Sequence, residues 1–374
     1  MMKLPEKMRK TLEKIVKEMA ADETVSGIGL FGSWSRGDAT PSSDVDLLVI
    51  SNNPLEDEYM ERVSIGDLFL DLNFVPKHLL QGPIHPKLDQ KLYEVQILYD
   101  RDWTLTNTKL SMAKFYSSPE RVNIRTETHI IESDIYLSRA TSAHAKGDYL
   151  SAQIFTIFAM ENILRVLLEI ALQPFSISRF LEKVEIAAEK LGIPEIFNSY
   201  LEIAKLDKVK AVAAEEKLKL FKAVWDEMGF MIKRKPQTLK SLHFKIKTGL
   251  NYYFNSAFLQ GTILRANSMI SSEKFAEAVH YLTSVALNIV ENYAWLKATI
   301  EKQKIDHTCL MHSIEKLERD NPRNYKNIVK LLSLTTTADV DKAEAAKTIE
   351  KVRRNILKIR RERKHLIKTH ISKI

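Results

Sequence analysis

The sequence predicts an α+β domain over residues 1–107, a small mixed sheet with flanking helices, followed by an all-α region that reads as two duplicated bundles. Three observations predict it. Short apolar runs of strand length recur at about 25–31, 44–50 and 68–75. Twelve of the 22 glycines and prolines fall in the first 107 residues, so turns crowd that segment and the rest is left to helices. A shift of 126 positions pairs Arg139 with Arg265, Ala140 with Ala266, Ser142 with Ser268, Ala152 with Ala278, Asn162 with Asn288 and Ile163 with Ile289. The expected parts are therefore 1–107, 108–248 and 249–374.

In chain order, Met8, Leu12, Ile15, Val16 and Met19 form one stripe, which predicts a helix over 5–19. The first strand follows and stops at Gly32-Ser33, where a turn region rich in Gly, Ser and Pro begins. The second strand carries Asp44 and Asp46 at its start. In the third, Leu68, Leu70, Leu72 and Phe74 alternate with Asp71 and Asn73, and Pro76 ends it. Gly82, Pro83 and Pro86 mark a loop, after which a short helix and an edge strand at 95–99 complete the sheet.

Strand residues two apart share a face, so Asp44 and Asp46 present both carboxylates to one place while Val45 and Leu47 enter the core. Two carboxylates on one edge suit Mg²⁺, which takes oxygen ligands and fills its other positions with water and phosphate. The Gly32-Ser33 turn supplies a complementary half, since glycine lets backbone N–H groups approach phosphate oxygens closely. Asp71 is the expected third ligand and Asp67 its rival.

Gly-Ser-x-x-Arg-Gly followed by Ser-Asp-x-Asp-Leu, carried by Gly32, Ser33, Arg36, Gly37, Ser43, Asp44, Asp46 and Leu47, resembles the signature of DNA polymerase β-type nucleotidyltransferases. That group includes kanamycin nucleotidyltransferase and the small archaeal and bacterial enzymes. The resemblance implies transfer of a nucleoside monophosphate from an NTP to an acceptor hydroxyl with release of pyrophosphate. It implies two Mg²⁺ ions on Asp44, Asp46 and Asp71, and nucleotide contacts from Gly32, Ser33, Arg36 and Ser43. The acceptor stays open among a small molecule, an RNA end and a protein. The helical part loosely resembles the HEPN bundles that accompany such domains, with His312-Ser313 in the second half and Phe175-Ser176 in the first, a departure, as counterparts of their short His-Ser-type segment. Two further readings stand beside this one: a nucleotide-binding regulatory protein on the same scaffold, and an HEPN-type ribonuclease using Arg360 and His365.

Net charge is +8, but it is concentrated. Residues 347–374 carry eleven basic against two acidic side chains, so the rest of the chain is nearly neutral. The tail reads as an amphipathic helix with Ile349, Val352, Ile356 and Ile359 on one face and basic residues on the other. It is either a bundle helix with a solvated face or a contact for RNA phosphates. A single cysteine, Cys309, excludes an internal disulfide and suits a reducing compartment. No run is long and apolar enough for a membrane span, and no apolar signal core opens the chain, so a cytoplasmic protein is expected. Bundles of this sort pair, which gives either a homodimer or a duplicated bundle satisfied within one chain.

Overall fold

The computed structural model describes residues 4–54, 57–66, 68–234, 237, 239, 242–334 and 342–371; the rival ligand Asp67 lies outside them. The chain divides into two compact units, one of residues 1–121 with 251–265, the other of 122–250 with 266–374. This partition differs from the expected boundaries at 107/108 and 248/249.

The first unit is built on a five-stranded sheet in the order β3-β4-β2-β1-β5. Its strands are β1 (Val25–Phe31), β2 (Val45–Ser51), β3 (Tyr59–Ile65), β4 (Leu68–Pro76) and β5 (Gln96–Asp100). β2 and β4 run parallel and the other pairs are antiparallel, so the sheet is mixed. The two-residue period of each strand divides its side chains between two cores. Ile28, Leu30, Leu47, Val49, Leu70 and Leu72 pack with Leu12 and Ile15 of helix α1 (Glu6–Ala20). On the other face Leu48, Ile50 and Val75 pack with Leu88, with Leu92 of α3 (Asp89–Glu94), and with Leu105 and Met112 of α4 (Thr104–Phe115). Because Leu48 faces that second layer, Asp46 does too. Between β1 and β2 the chain makes a single short helix, α2 (Gly32–Arg36), closed by Gly37 in the left-handed region at φ 79°.

The second unit is entirely helical among its described residues. Its main helices are α5 (Pro119–Ala145), α6 (Tyr149–Ala171), α7 (Phe180–Leu191), α8 (Pro194–Ile203), α9 (Ala211–Lys233), α10 (Phe244–Tyr253), α11 (Ser256–Ser271) and α12 (Phe275–Glu301). The short α13 (Leu310–Ser313) and α14 (Lys316–Asp320) lead to α15 (Pro322–Leu331) and the long α16 (Lys342–Ile371). α5, α10 and α11 each have some residues in the first unit. α6 is apolar around most of its circumference, which fits a helix at the centre of a bundle. The basic face of α16 meets acids: Lys351 pairs with Glu202, Lys358 with Glu195, Arg360 with Asp134 and the buried Arg363 with Glu127. No described helix is long and apolar enough to cross a membrane.

Candidate active site

The site lies at the start of β2, on the face shared by Asp46 and Asp71. Parallel register sets Asp46 directly opposite Asp71, and antiparallel register sets Arg62 of β3 opposite Asp71. Asp46, Asp71 and Arg62 thus form a row across three strands. Asp44, one residue before β2, reaches the same place: Arg62 Nη2 bonds both Asp44 Oδ2 and Asp71 Oδ2, while Arg62 Nε donates to Asp71 Oδ1 at 2.7 Å. Asp44, Arg62 and Asp71 are all buried. A second guanidinium, that of Arg265 on α11, pairs with Asp44 Oδ1. The Tyr252 hydroxyl lies 3.3 Å from both carboxylate oxygens of Asp71, within hydrogen-bond reach. Arg62 thus ties Asp44 to Asp71, Arg265 holds Asp44 from the other side, and Asp46 stands opposite Asp71 in the ladder.

Burial, then the negative charges of Asp71 and Glu94, push the Asp46 carboxyl up to about 8 against the pull of Arg62 and Arg36. Asp44, Asp46 and Asp71 offer only hard oxygen donors, a set that fits a divalent cation able to displace the Asp46 proton.

The turn at the end of β1 forms the other wall. Gly32 has φ +75°, and a Cβ there would collide with Asp46 Oδ2. Only a residue without a side chain lets the turn close onto the carboxylate. The Gly32 N–H donates to Glu94 Oε1 at 2.8 Å, and Arg36 Nη1 donates to Glu94 Oε2 at 2.8 Å. Arg36 also pairs with Asp38 at 3.3 Å. Burial opposes the charge on Arg36, but Glu94 and Asp38 outweigh it and raise its pKa further. Arg36 is thus tied to α3 and to the following loop. Ser33 is the second residue of α2, its carbonyl accepting from the N–H groups of Gly37 and Asp38. The Ser43 hydroxyl accepts from the Thr40 N–H at 2.9 Å and holds the loop that leads into Asp44.

Four participants escaped the sequence reading: Glu94, Arg62, Tyr252 and Arg265. Arg62 had a signal, since Tyr59-Met-Glu-Arg-Val-Ser-Ile is rich in strand formers and directly precedes the third acidic strand.

A family model described as nucleotidyltransferase domain matches residues 9–103. A protein of Methanocaldococcus jannaschii named "Putative protein adenylyltransferase MJ1379" is 30% identical over 101 residues, which are 26% of this chain and 99% of that one. A nucleotidyltransferase-like protein from Exiguobacterium sibiricum 255-15 is 14% identical over 86% of this chain and 91% of its own, with a TM-score of 0.33, too low to establish a shared fold. The motif residues, the acidic row and the nearly full-length match to a small relative agree: this chain belongs to the nucleotidyltransferase domain family.

Proposed function

We propose that the first unit transfers a nucleoside monophosphate from an NTP to a hydroxyl group of a protein, with ATP as the donor. The observation that carries this is the convergence of Asp44, Asp46 and Asp71 beside the Gly32 turn. The protein acceptor and the adenylate rest on the name of the small relative matched over nearly its whole length.

In this reading Asp44 and Asp46, with Asp71 beside them, hold Mg²⁺, which when bound supplies charge for the triphosphate and the departing pyrophosphate. The chain's own residues do the rest. Gly32 admits the triphosphate close to the backbone, and Ser33 donates to its terminal oxygens. Arg36 keeps the turn in shape through Glu94. Asp71 orients the acceptor oxygen and takes up its proton as the oxygen attacks the α-phosphorus. Pyrophosphate leaves on the opposite side of that phosphorus.

The test is incubation of the full chain with α-labelled ATP, Mg²⁺ and a protein extract. Label should enter protein and pyrophosphate should appear, and D46N should reduce both at least a hundredfold while its thermal unfolding stays sharp. Equal labelling by D46N would remove the carboxylate row from the chemistry.

A second reading has its own support: Arg62 and Arg265 neutralise Asp44 and Asp71, and Glu94 holds the Gly32 amide. A site so self-satisfied suits a nucleotide-binding regulatory protein. Calorimetric binding of a non-hydrolysable ATP analogue, without pyrophosphate release against any acceptor pool, would favour it.

A further inference from the structure

We infer that Arg62 permanently replaces one of the two divalent cations, so that this site takes a single metal ion, on Asp44 and Asp46, when nucleotide binds. The inference rests on the proposed nucleotidyl transfer and specifies how its charge is arranged.

Register is the first argument. Arg62 stands opposite Asp71 in the β3–β4 ladder, on the face that carries Asp46, so its place does not depend on a loop. The second is its bonding. Nε and Nη2 of one planar guanidinium take both oxygens of Asp71, and Nη2 also reaches Asp44. One guanidinium therefore ties Asp44 to Asp71 and puts its positive charge between them, where a divalent cation would otherwise supply it. Asp46 stands outside it. An arginine cannot be deprotonated to vacate the position, and its fork matches a carboxylate in two bonds.

Its housing is the third argument. Cζ of Arg62 lies 5.7 Å from the ring centre of Tyr252 and 5.5 Å from that of Phe258, and with those rings 5.1 Å apart both cover the cation from one side. Asn255 Nδ2 donates to the Arg62 carbonyl at 2.8 Å, fixing the backbone from the same segment. Gly261 lies close as well: a Cβ there would stand 2.8 Å from Arg62 Nη1, so a side chain at position 261 would press on the guanidinium. The Arg62 side chain keeps 2% of its exposure and that of Arg265 keeps 14%. Arg265 is thus the counter-ion that an incoming cation displaces from Asp44, while Arg62 stays.

The chemical consequence follows from what a guanidinium can do. It neutralises Asp71 and orients it, but it has no vacant coordination position for an acceptor oxygen. Activation of the acceptor then falls to the carboxylate itself, and metal is needed only on the nucleotide side.

Mn²⁺ titration of the full chain, saturated with a non-hydrolysable ATP analogue and read by calorimetry and by the loss of the free-ion magnetic resonance signal, tests this without turnover. One Mn²⁺ per chain is expected, and R265Q should bind that one about tenfold tighter, a gain of ~1.4 kcal/mol. R62Q, checked for native circular dichroism, should admit a second ion. Two ions on the wild-type chain would leave the proposed transfer standing and overturn the role of Arg62. Nucleotide and Mn²⁺ both failing to bind would refute the proposed function itself.

Discussion

At the scale of single residues, Gly32 shows how little separates a working turn from a blocked one. Its φ of +75° costs an L-residue about 1–2 kcal/mol, and its missing side chain leaves room for Asp46 Oδ2. Gly37 has a similar φ of +79° but open space around it. G37A should therefore lose about 1 kcal/mol of stability and keep its labelling activity, whereas G32A should lose activity as well, because Asp46 must move. Thermal unfolding and label incorporation measured on both variants separate strain from displacement; equal activity losses would sink the distinction. The acidic residues could be read in the sequence because period-two alternation places Asp46 and Asp71 on a face whatever the tertiary detail. Glu94 could not, because its bond to the Gly32 amide spans 62 residues and nothing local marks it. Arg62 was hidden differently. Its strand is an edge with Met60, Glu61 and Ile65 exposed, which leaves only a weak apolar rhythm.

At the scale of elements, the repeat suggested by six identities reappears as matched local geometry. Gly147 and Glu273, 126 positions apart, both adopt positive φ, at 81° and 59°. Asp148 N–H bonds the Ala143 carbonyl and Lys274 N–H bonds the Met269 carbonyl, each at 2.9 Å, just before α6 and α12 begin. Further along, α8 and α15 are each ten residues long and open on proline. α12 has 27 residues where α6 has 23, and the prolines that open α8 and α15 stand 128 apart, so the later elements leave the 126-residue register. One contact in these elements is polar and buried. Lys217 of α9 donates from Nζ to the Leu331 carbonyl at 2.8 Å and also reaches Ser333, Lys330 and Thr283. It caps the C-terminus of α15, whose unpaired carbonyls take its N–H donors, while burial pushes the amine down to about 7. K217M should cost about 1–3 kcal/mol in denaturant unfolding of the full chain, since it strands those carbonyls without water. A variant as stable as wild type would show the cap to be incidental.

At the scale of the whole helical unit, the last helices of the two halves cross over to pack on the opposite half. α16, from the second, packs along α6 of the first, and α9, from the first, packs against α12 and α15 of the second. Sequence periodicity gives each helix an apolar face but not which repeat will cover it, so two separate bundles and one interlocked unit were equally consistent with the pattern. The crossing is polar as well as apolar. Glu277 of α12 accepts from the N–H groups of Leu181 and Glu182 at 3.1 and 3.3 Å, capping α7 of the other repeat. His280 of α12 stacks on Phe180 at 4.8 Å and lies 3.6 Å from the buried Glu161 carboxylate on α6. Glu161 also accepts from Arg165 at 2.8 Å. Burial works against its charge, yet His280 and Arg165 hold the Glu161 carboxyl down at about 2, from the usual 4.5. Between those two values the unfolded chain binds a proton that the folded chain does not, so stability is fully present above pH 4.5 and falls as pH drops toward 2. At ~1.4 kcal/mol for each pH unit across that window, the loss is of order 3 kcal/mol. E161Q removes the titrating group and should flatten this acid limb. It should also unfold more easily at pH ~7, because Arg165 then loses its buried carboxylate partner. Urea midpoints measured from neutral to acid pH on both proteins decide the matter: parallel curves would mean that Glu161 does not couple the two repeats, and a shallower curve for E161Q would mean that it does.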